Sequence, residues 1–380
     1  LYCQSHSVPG IMITGSHIPA DRNGIKFYWP WGEILKEDEV AIQTHFQNIY
    51  RPSPPVFTNA RNEFIQRYIS AFEQFRPFFQ GKKILAYQHS AATRDFWKPI
   101  LTALGFDVEE IGCSSVFVPV DTETDEAVAN LRKIIPPDKH FFALVSSDGD
   151  GDRPLVCDQN LQILRGDTLG LITSMFLGAN TVVTPVSSNT ALELSGKFKN
   201  IVRTKIGSPF VIEAMMQLND RSEAHPIIGF EANGGVLLGS DVEIGKQKIA
   251  KLPTRDSLLP VLCTLAMAAT NKKNLSQVVT SLPLRFTDAD VLRGFPIEKA
   301  EQVFQLAQKD LNFMKIFGEI QNINTTDGLR LTFASGNIVH LRPSGNAPEF
   351  RCYTESKSPQ QARELLILAM NWLKYTFPTL

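Results

Sequence analysis

Helical and strand-like patterns alternate between about residues 56 and 280, and this alternation limits the possible folds more than any other feature. Apolar, partly β-branched runs such as 141–146 and 181–186 have the length of buried strands. Such alternation predicts a parallel or mixed sheet flanked by helices. Ligands of these sheets gather outside the carboxyl ends of the strands. The predicted helices cover 59–75, 93–104, 125–135, 167–177, 209–218 and 257–269.

The sequence pattern also suggests where the chain divides. A proline cluster over 51–55 suits a first boundary, and we expect others near 164 and 280. The residues over 275–287 are predicted to form a linker. In the last segment, elements are grouped by type, which predicts a small α+β domain. That segment has a predicted helix over 299–313, strands over 328–333, 337–342 and 350–355, and a closing helix over 359–375.

Composition excludes some classes of partner. The 380 residues are 43% hydrophobic and 20% charged, with a net charge of −1, which is ordinary for a soluble protein. We therefore expect neither nucleic acid nor an anionic membrane as the main partner. The five cysteines are scattered without a CxxC pair, and no signal peptide or transmembrane helix is evident. We expect a reduced, cytoplasmic protein, either a monomer or a homodimer.

Three aspartates, Asp148, Asp150 and Asp152, alternate with two glycines directly after a predicted buried strand. Anions this close repel one another unless a cation offsets them, and Mg²⁺ prefers carboxylate oxygens. An EF-hand loop would need Gly and Glu where this chain has Arg153 and Gln159. An arginine beside the aspartates favours a phosphorylated ligand. We predict a Mg²⁺ site here, with a solvated acidic turn as the alternative.

Three other loops carry side chains suited to a phosphorylated sugar. Gly and Pro flanks predict an exposed turn for Ser16, a possible phosphoryl carrier, with Lys26 as a nearby cation. Glu231 and Asn233 could bind sugar hydroxyls. Arg342 begins a stretch with a hydroxyl, a glycine and an amide that could bind phosphate. A serine bonded to its own backbone and two ordinary hairpin turns are the plain alternatives.

Taken in order, these loops resemble those of the α-D-phosphohexomutase superfamily, the phosphomannomutase and phosphoglucomutase enzymes. Residues 14–26 resemble the phosphoserine loop T-x-S-H-N-P followed by N-G-x-K, with Ile18 replacing Asn. Residues 148–153 match the metal loop D-G-D-G-D-R in full. The Lys205 turn is similar to a family K-x-G whose lysine meets the substrate. The resemblance therefore extends over most of the chain.

The other two loops depart from the family pattern. In the sugar loop G-E-x-S-G-H, Asn233 replaces Ser and Gly235 replaces His, so another group must take the role of that histidine. In the phosphate loop R-x-S-G-T-E-P, Asn346 and Ala347 replace Thr and Glu. These variants resemble a bacterial phosphomannomutase branch. They leave the choice between mannose and glucose open.

The resemblance implies related three-layer α/β domains with mixed sheets around a central cleft, followed by a C-terminal α+β domain. The expected domains are a remnant of domain I over 1–52 with the phosphoserine loop, α/β domains over 53–164 with the metal loop and over 165–280 with the sugar loop, and the α+β domain over 281–380 with the phosphate loop. Most of the first domain is expected to be absent.

The resemblance also implies a Mg²⁺-dependent exchange between hexose 6-phosphate and hexose 1-phosphate, through a phosphoserine and hexose 1,6-bisphosphate. A Mg²⁺-dependent sugar phosphatase and a truncated, inactive sugar-phosphate-binding homologue are the alternatives. The implied catalytic residues are Ser16, His17, Lys26 and Arg153; the metal ligands are phosphorylated Ser16, Asp148, Asp150 and Asp152; the sugar contacts are Lys205, Glu231 and Asn233; and the phosphate contacts are Arg342, Ser344, Gly345, Asn346 and Arg351.

Overall fold

Two compact units make up the computed structural model of the chain. The larger unit holds Leu1–Thr184, Lys197–Val202 and Gly207–Ser281, and the smaller unit holds Pro185–Gly196, Arg203–Ile206 and Leu282–Leu380. The residues that the structure describes are 1–16, 21, 23–44, 57–124, 126–295, 302, 304–305, 312–343 and 348–376, with the backbone alone at 222, 312–314, 375 and 376.

The strands are numbered in chain order. They are β1 Gly10–Thr14, β2 Gly24–Trp29, β3 Gly32–Glu33, β4 Lys83–His89, β5 Asp107–Cys113, β6 Ala143–Ser147, β7 Pro154–Cys157, β8 Thr181–Pro185, β9 Asn200–Thr204, β10 Ile227–Phe230, β11 Val236–Leu238, β12 Val242–Ile244, β13 Gln247–Ile249, β14 Leu252–Asp256, β15 Phe286–Arg293, β16 Ile320–Asn324, β17 Leu329–Phe333, β18 Ile338–Pro343 and β19 Glu349–Ser356.

The α-helices are numbered in the same way. They are α1 Tyr2–His6, α2 Lys36–Thr44, α3 Arg61–Phe72, α4 Arg76–Phe79, α5 Arg94–Ala103, α6 Glu126–Ala129, α7 Leu131–Ile134, α8 Gly166–Phe176, α9 Ala191–Leu194, α10 Ser208–Asn219, α11 Leu258–Thr270, α12 Leu275–Thr280 and α13 Pro359–Thr376. Short 3₁₀ helices cover Glu73–Phe75, Ser222–Ala224 and Asn312–Phe317.

A four-stranded sheet carries the aspartates, in the order β5–β4–β6–β7. Strand β4 is parallel to β5 and β6, and β7 returns antiparallel beside β6. All five residues of β6 are buried, as expected for a central strand. The segment Asp148–Arg153, here called the acidic loop, forms the turn from β6 to β7. The mixed sheet confirms the predicted α/β fold class.

A second mixed sheet has the order β14–β11–β10–β8–β9. Strand β10 is parallel to β8 and antiparallel to β11. Nearly all residues of α11 are buried, and this helix packs against α8. The β10–β11 loop, Glu231–Gly235, leaves this sheet at the carboxyl end of β10. Because Val236 pairs with Asp256, the neighbouring Arg255 of β14 lies beside this loop.

The smaller unit is built on an antiparallel sheet in the order β15–β19–β18–β17–β16. Helix α13 packs against β15 and β19 and closes a core that includes Leu331, Leu341, Leu366 and Leu373. This arrangement confirms the predicted C-terminal α+β domain. Arg342 on β18 and Arg351 on β19 are directly opposite each other in the register.

The predicted linker over 275–287 is too long: the chain passes from the larger unit to the smaller between Ser281 and Leu282, but only 281–285 lie outside helices and strands. Its first half is helix α12, which begins at a capping box where Asn274 and Gln277 satisfy each other's backbone N–H groups. Leu275 and Val278 are the buried residues of that helix. The last residues of the predicted linker already belong to β15. Helix packing and strand pairing therefore order a segment whose sequence resembles a connection.

Two helix predictions differ from the structure in other ways. The helix predicted over 125–135 is divided into α6 and α7, and it ends at Ile134 because Ile135, which precedes a proline, is extended. The helix predicted over 299–313 lies largely outside the described residues. Among the residues that are described, no helix is both long enough and apolar enough to cross a membrane.

Candidate active site

Asp148 organises the acidic loop through both of its carboxylate oxygens. Oδ1 accepts hydrogen bonds from the backbone N–H groups of Gly151 and Arg153, at 3.1 and 3.2 Å. Oδ2 accepts one from the Ser16 hydroxyl at 2.7 Å. A Cβ at position 149 would overlap the carbonyl oxygen of Ser16, so Gly149 permits close contact between the two segments. The loop thus folds around one carboxylate that also holds the serine.

Ser16 is half-buried, so the exposed turn predicted for it is wrong. Its side chain is drawn towards the acidic loop by Asp148, which lies 132 residues further along the chain. Its φ of 51° is left-handed, and its N–H donates to Thr14 Oγ1 at 2.8 Å. The predicted catalytic residue His17 lies outside the described residues.

Two predicted cations lie near the aspartates, Lys26 from β2 and Arg153 from the acidic loop itself. Lys26 Nζ is 2.6 Å from Asp150 Oδ2 and 2.9 Å from Asp152 Oδ2. Burial alone would lower the pKa of Lys26, but Asp152 and Asp150 outweigh it and the pKa is raised. Arg153 Nε lies 3.9 Å from both Asp148 Oδ2 and Asp152 Oδ1. The positive charges of Lys26 and Arg153 therefore offset part of the negative charge of the three aspartates.

The three aspartates suit a hard divalent cation. One oxygen from each can be chosen so that all three lie within 4.8 Å of one another. Burial, with help from Asp152 and Asp150, raises the pKa of Asp148 to about 7. Asp150 Oδ1 and Asp152 Oδ1 are buried without a hydrogen-bond partner among the described residues. Carboxylate oxygens that have no hydrogen-bond partner can serve as ligands, and Mg²⁺ prefers oxygen ligands.

The β10–β11 loop is a tight turn around a buried carboxylate. The Glu231 N–H donates to the Gly235 carbonyl, and the Gly234 N–H donates to the Glu231 carbonyl, both at 3.0 Å. Asn233 Oδ1 accepts the N–H of Gly235 at 3.0 Å. Burial raises the pKa of Glu231, although Arg255 opposes that rise. Glu231 and Asn233, the predicted sugar contacts, are thus held in one turn.

The same loop rests on the first turn of α8. A Cβ on Gly166 would overlap the backbone of Ala232 and Gly234. Gly234 itself has a φ of +91°, in the left-handed region that favours glycine. Backbone packs on backbone here, which fixes the loop on the helix.

Arg255 is a component of this site that sequence reasoning missed. Its Nη2 lies 2.9 Å from Asp152 Oδ2, Nη1 lies 3.6 Å from Glu231 Oε2, and Nε lies 3.7 Å from Glu33 Oε1. Burial would lower the pKa of Arg255, but Glu33, Asp152 and Glu231 outweigh it and raise the pKa. An arginine at the carboxyl end of a strand, next to a helix start, was the available signal.

In the smaller unit, two predicted contacts are joined by one carboxylate. Asp327 accepts the backbone N–H of Ile206 at 2.9 Å and lies 2.9 Å from Arg342 Nε. Ile206 follows Lys205, so the Lys205 turn and Arg342 share this anchor. His340 Nε2–H donates to the Asp327 carbonyl oxygen. Asp327 was also missed in the sequence.

Arg351, opposite Arg342, donates to Glu349 at 3.3 Å and is partly exposed. The predicted phosphate contacts Ser344, Gly345 and Asn346 lie outside the described residues. The structure therefore gathers the predicted residues into two sets. The larger unit brings together Ser16, Lys26, Asp148, Asp150, Asp152, Arg153, Glu231 and Asn233; the smaller unit brings together Lys205, Arg342 and Arg351.

Three segments of the chain match models of phosphoglucomutase/phosphomannomutase domains. Residues 2–52 match the alpha/beta/alpha domain I, 165–286 match the alpha/beta/alpha domain III, and 287–366 match the C-terminal domain. The chain belongs to the phosphoglucomutase/phosphomannomutase family. Its members are intramolecular phosphotransferases, so the predicted enzyme class and the predicted family are confirmed. The domain bounds and individual residue roles stay predictions.

Relatives of this phosphohexomutase agree in sequence and in fold. The chain is 41% identical over 379 residues to the phosphomannomutase of Salmonella muenchen, covering 97% of this chain and 78% of that protein. It is 40% identical over 379 residues to the phosphomannomutase of Sinorhizobium fredii, covering 96% and 80%. A phosphoglucomutase/phosphomannomutase family protein from Burkholderia thailandensis shares the fold, with a TM-score of 0.71 at 17% identity, over 96% of this chain and 76% of that one.

Proposed function

We propose that this chain interconverts mannose 6-phosphate and mannose 1-phosphate, with Mg²⁺, a phosphoserine at residue 16 and a bisphosphorylated sugar intermediate. The preference for mannose is supported by the two relatives above, both named phosphomannomutase. The observation that carries the mechanism is the 2.7 Å hydrogen bond from the Ser16 hydroxyl to Asp148. It supports the proposal because it brings the hydroxyl proposed as the nucleophile against a carboxylate cluster suited to a divalent cation.

Asp148, Asp150 and Asp152 would hold the Mg²⁺, whose positive charge would offset the negative charge of the phosphoryl oxygens. Lys26 supplies a second positive charge to the same place, at 2.6 Å from Asp150. Phosphoryl transfer depends mainly on positioning and charge stabilisation, so these fixed cations are what the reaction needs. Ser16 is the group that carries the phosphoryl between the two half-reactions.

In the first half-reaction, the bond between phosphorus and Ser16 Oγ breaks while a bond forms from phosphorus to the free sugar hydroxyl, and the proton of that hydroxyl ends on Ser16 Oγ. The resulting hexose 1,6-bisphosphate reorients, and its other phosphoryl group passes from the sugar oxygen to Ser16 Oγ, whose proton ends on the released sugar hydroxyl. Glu231 and Asn233 would orient the sugar hydroxyls through acceptor and donor groups. Arg342, held at 2.9 Å by Asp327, would bind the phosphate that is not reacting.

One coupled assay tests the proposal. Mannose 1-phosphate is supplied with Mg²⁺ and a trace of mannose 1,6-bisphosphate, and glucose 1-phosphate is assayed in parallel. Mannose 6-phosphate as the faster product supports the proposal. Free phosphate would indicate a sugar phosphatase, and no product would indicate an inactive sugar-phosphate-binding homologue. Either of these two results would reject the proposed reaction.

The Ser16→Ala variant tests the phosphoserine itself. We expect turnover to fall by at least about 10³-fold, since the nucleophile is lost while the binding groups remain. Ser5→Ala, at an exposed serine, is the matched control. Mass spectrometry after incubation with the bisphosphate should find one phosphoryl group on the wild type and none on Ser16→Ala. Mutase activity retained by Ser16→Ala would exclude residue 16 as the carrier.

A further inference from the structure

Arg255 connects three carboxylates that come from distant parts of the larger unit. Glu33 lies on β3, Asp152 in the acidic loop and Glu231 in the β10–β11 loop, at 3.7, 2.9 and 3.6 Å from separate guanidinium nitrogens. Only about 10% of the Arg255 side chain is exposed. A planar guanidinium with five N–H donors is suited to holding several acceptors at fixed angles.

Glu33 is the carboxylate of the three that is itself held firmly by other side chains. Its Oε1 accepts the Thr254 hydroxyl at 3.0 Å, and its Oε2 accepts the Ser208 hydroxyl at 2.9 Å. Both oxygens of Glu33 are therefore already held by neighbouring elements. The guanidinium extends from this fixed point towards the acidic loop and the β10–β11 loop.

The absence of a side chain at position 235 makes this path possible. A Cβ there would lie 2.7 Å from Arg255 Cδ and 2.8 Å from Cγ, so any larger residue would displace the arginine. The aliphatic stem of Arg255 thus occupies the place where a residue-235 side chain would begin. Gly235 and Arg255 form a matched pair in this chain.

We propose that Arg255 is a positioning residue of the mutase reaction, holding Glu231 of the β10–β11 loop at a set distance from Asp152 of the acidic loop. This inference rests on the function proposed above. In this arrangement, the position of Glu231, which would orient the sugar, is fixed relative to the aspartates that would surround the transferred phosphoryl group. Arginine keeps its proton, so the role is to hold charge and geometry rather than to exchange protons.

The first test compares Arg255→Ala with Arg61→Ala, which removes a guanidinium that pairs with Asp95 on the surface. We expect kcat/KM to fall by about 100-fold for Arg255→Ala, because the ion pairs to two site carboxylates, Asp152 at 2.9 Å and Glu231 at 3.6 Å, are lost. We expect no change for Arg61→Ala. The preference for mannose over glucose should also narrow in Arg255→Ala, which general loosening of the fold would not produce.

Two further measurements separate positioning from structural damage. Added guanidinium ion should restore part of the activity of Arg255→Ala but none of that lost in Ser16→Ala. Gly235→Ala should lower kcat/KM in the wild type, yet have little further effect when combined with Arg255→Ala. If Arg255→Ala does not fold, Arg255→Lys and Gly235→Ala provide the same comparison of sugar preference.

The outcomes distinguish the two proposals. Wild-type enzyme without mutase activity would reject the proposed function. An active wild type whose Arg255 variants keep both kcat/KM and sugar preference would reject the positioning role alone. Additive effects of Gly235→Ala and Arg255→Ala would contradict the matched pair.

Discussion

The two units use carboxylates and arginines in opposite ways. In the acidic loop of the larger unit, three aspartates meet Lys26, Arg153 and Arg255, yet Asp150 Oδ1 and Asp152 Oδ1 have no hydrogen-bond partner among the described residues. In the smaller unit, a single carboxylate is surrounded by donors. The carboxylates are buried to a similar degree in both units. The difference is whether their oxygens have hydrogen-bond donors.

The buried carboxylate of the smaller unit in this comparison is Glu355. Its Oε1 accepts Arg285 Nε at 2.8 Å, the Thr190 N–H at 3.1 Å and the Thr190 hydroxyl, and its Oε2 lies 3.9 Å from Arg330. The Glu355 and Arg285 side chains are each about 5% exposed. A carboxylate with its donors complete has a structural role, whereas buried oxygens left without donors are available to a ligand.

The largest expected effect tests the structural side of this comparison. Glu355→Gln should lower the free energy of unfolding by about 3 to 5 kcal/mol, because Arg285 would remain buried without its counter-charge. Urea unfolding measures the change, and the folded variant should keep its activity. The control is Asp107→Asn, in a surface pair with Lys83 at 3.8 Å, which should change stability by less than about 1 kcal/mol. Equal effects of the two variants would break the comparison.

The next effect is a pH dependence in the smaller unit. Burial lowers the pKa of His340 to about 4; the carboxylate of Asp327 and the guanidinium groups of Arg330 and Arg342 face it, and the Tyr353 ring stacks on it. Between pH 6.5 and about 4, the unfolded chain binds a proton that the folded chain refuses. His340 therefore costs no stability above pH 6.5 and about 3 kcal/mol by pH 4.

Urea unfolding at several pH values, on wild type and His340→Gln, isolates this contribution from that of the carboxyl groups. The difference between the two should change by about 3 kcal/mol over the range. Parallel curves for the two proteins would show that His340 is not the group that titrates.

A smaller effect tests the ligand-binding side. Asp150→Asn should weaken Mg²⁺ binding and lower kcat/KM by at least about 100-fold, since even outer partners of a metal are worth 10 to 100-fold. Its stability should change little, because repulsion among the aspartates is relieved as the Lys26 pair is lost. Calorimetric Mg²⁺ titration provides the measurement, with exposed Asp138→Asn as control. An unchanged metal requirement would make the acidic loop structural.

The smallest expected effect concerns the anchor between the Lys205 turn and Arg342. Asp327→Asn should raise KM for the sugar phosphate about tenfold, with kcat less affected, since Arg342 loses a charged partner. Asp290→Asn, an exposed residue on β15, is the control. A fall in kcat with unchanged KM would place Asp327 outside phosphate binding.

The local features of the fold and site could be predicted from the sequence. A buried run followed by alternating Asp and Gly identified β6 and the acidic loop, because strand burial and turn chemistry depend on adjacent residues. The packing that orders α12 and the exposed appearance of Ser16 could not be judged in this way. Both depend on partners distant in the sequence, such as Asp148 for Ser16.

The same reason explains the residues that were missed. Arg255 has no motif of its own, and its importance comes from Glu33, Asp152 and Glu231, which only the folded chain brings together. Asp327 likewise gains its role from Ile206 and Arg342. Residues that connect distant segments in this way can be identified only when the positions of the segments they join are known.

The backbone contact between Gly166 and the β10–β11 loop has a practical consequence for altering substrate range. Libraries that vary the side chains of Ala232 and Asn233 would change the surface that we propose faces the sugar and leave the backbone contact with Gly166 in place, although Asn233 variants lose the hydrogen bond to the Gly235 N–H. Libraries that admit larger residues at 166 or 234 would lift the whole turn from its helix and remove Glu231 from register. Directed evolution towards a new hexose phosphate should therefore keep those two glycines constant.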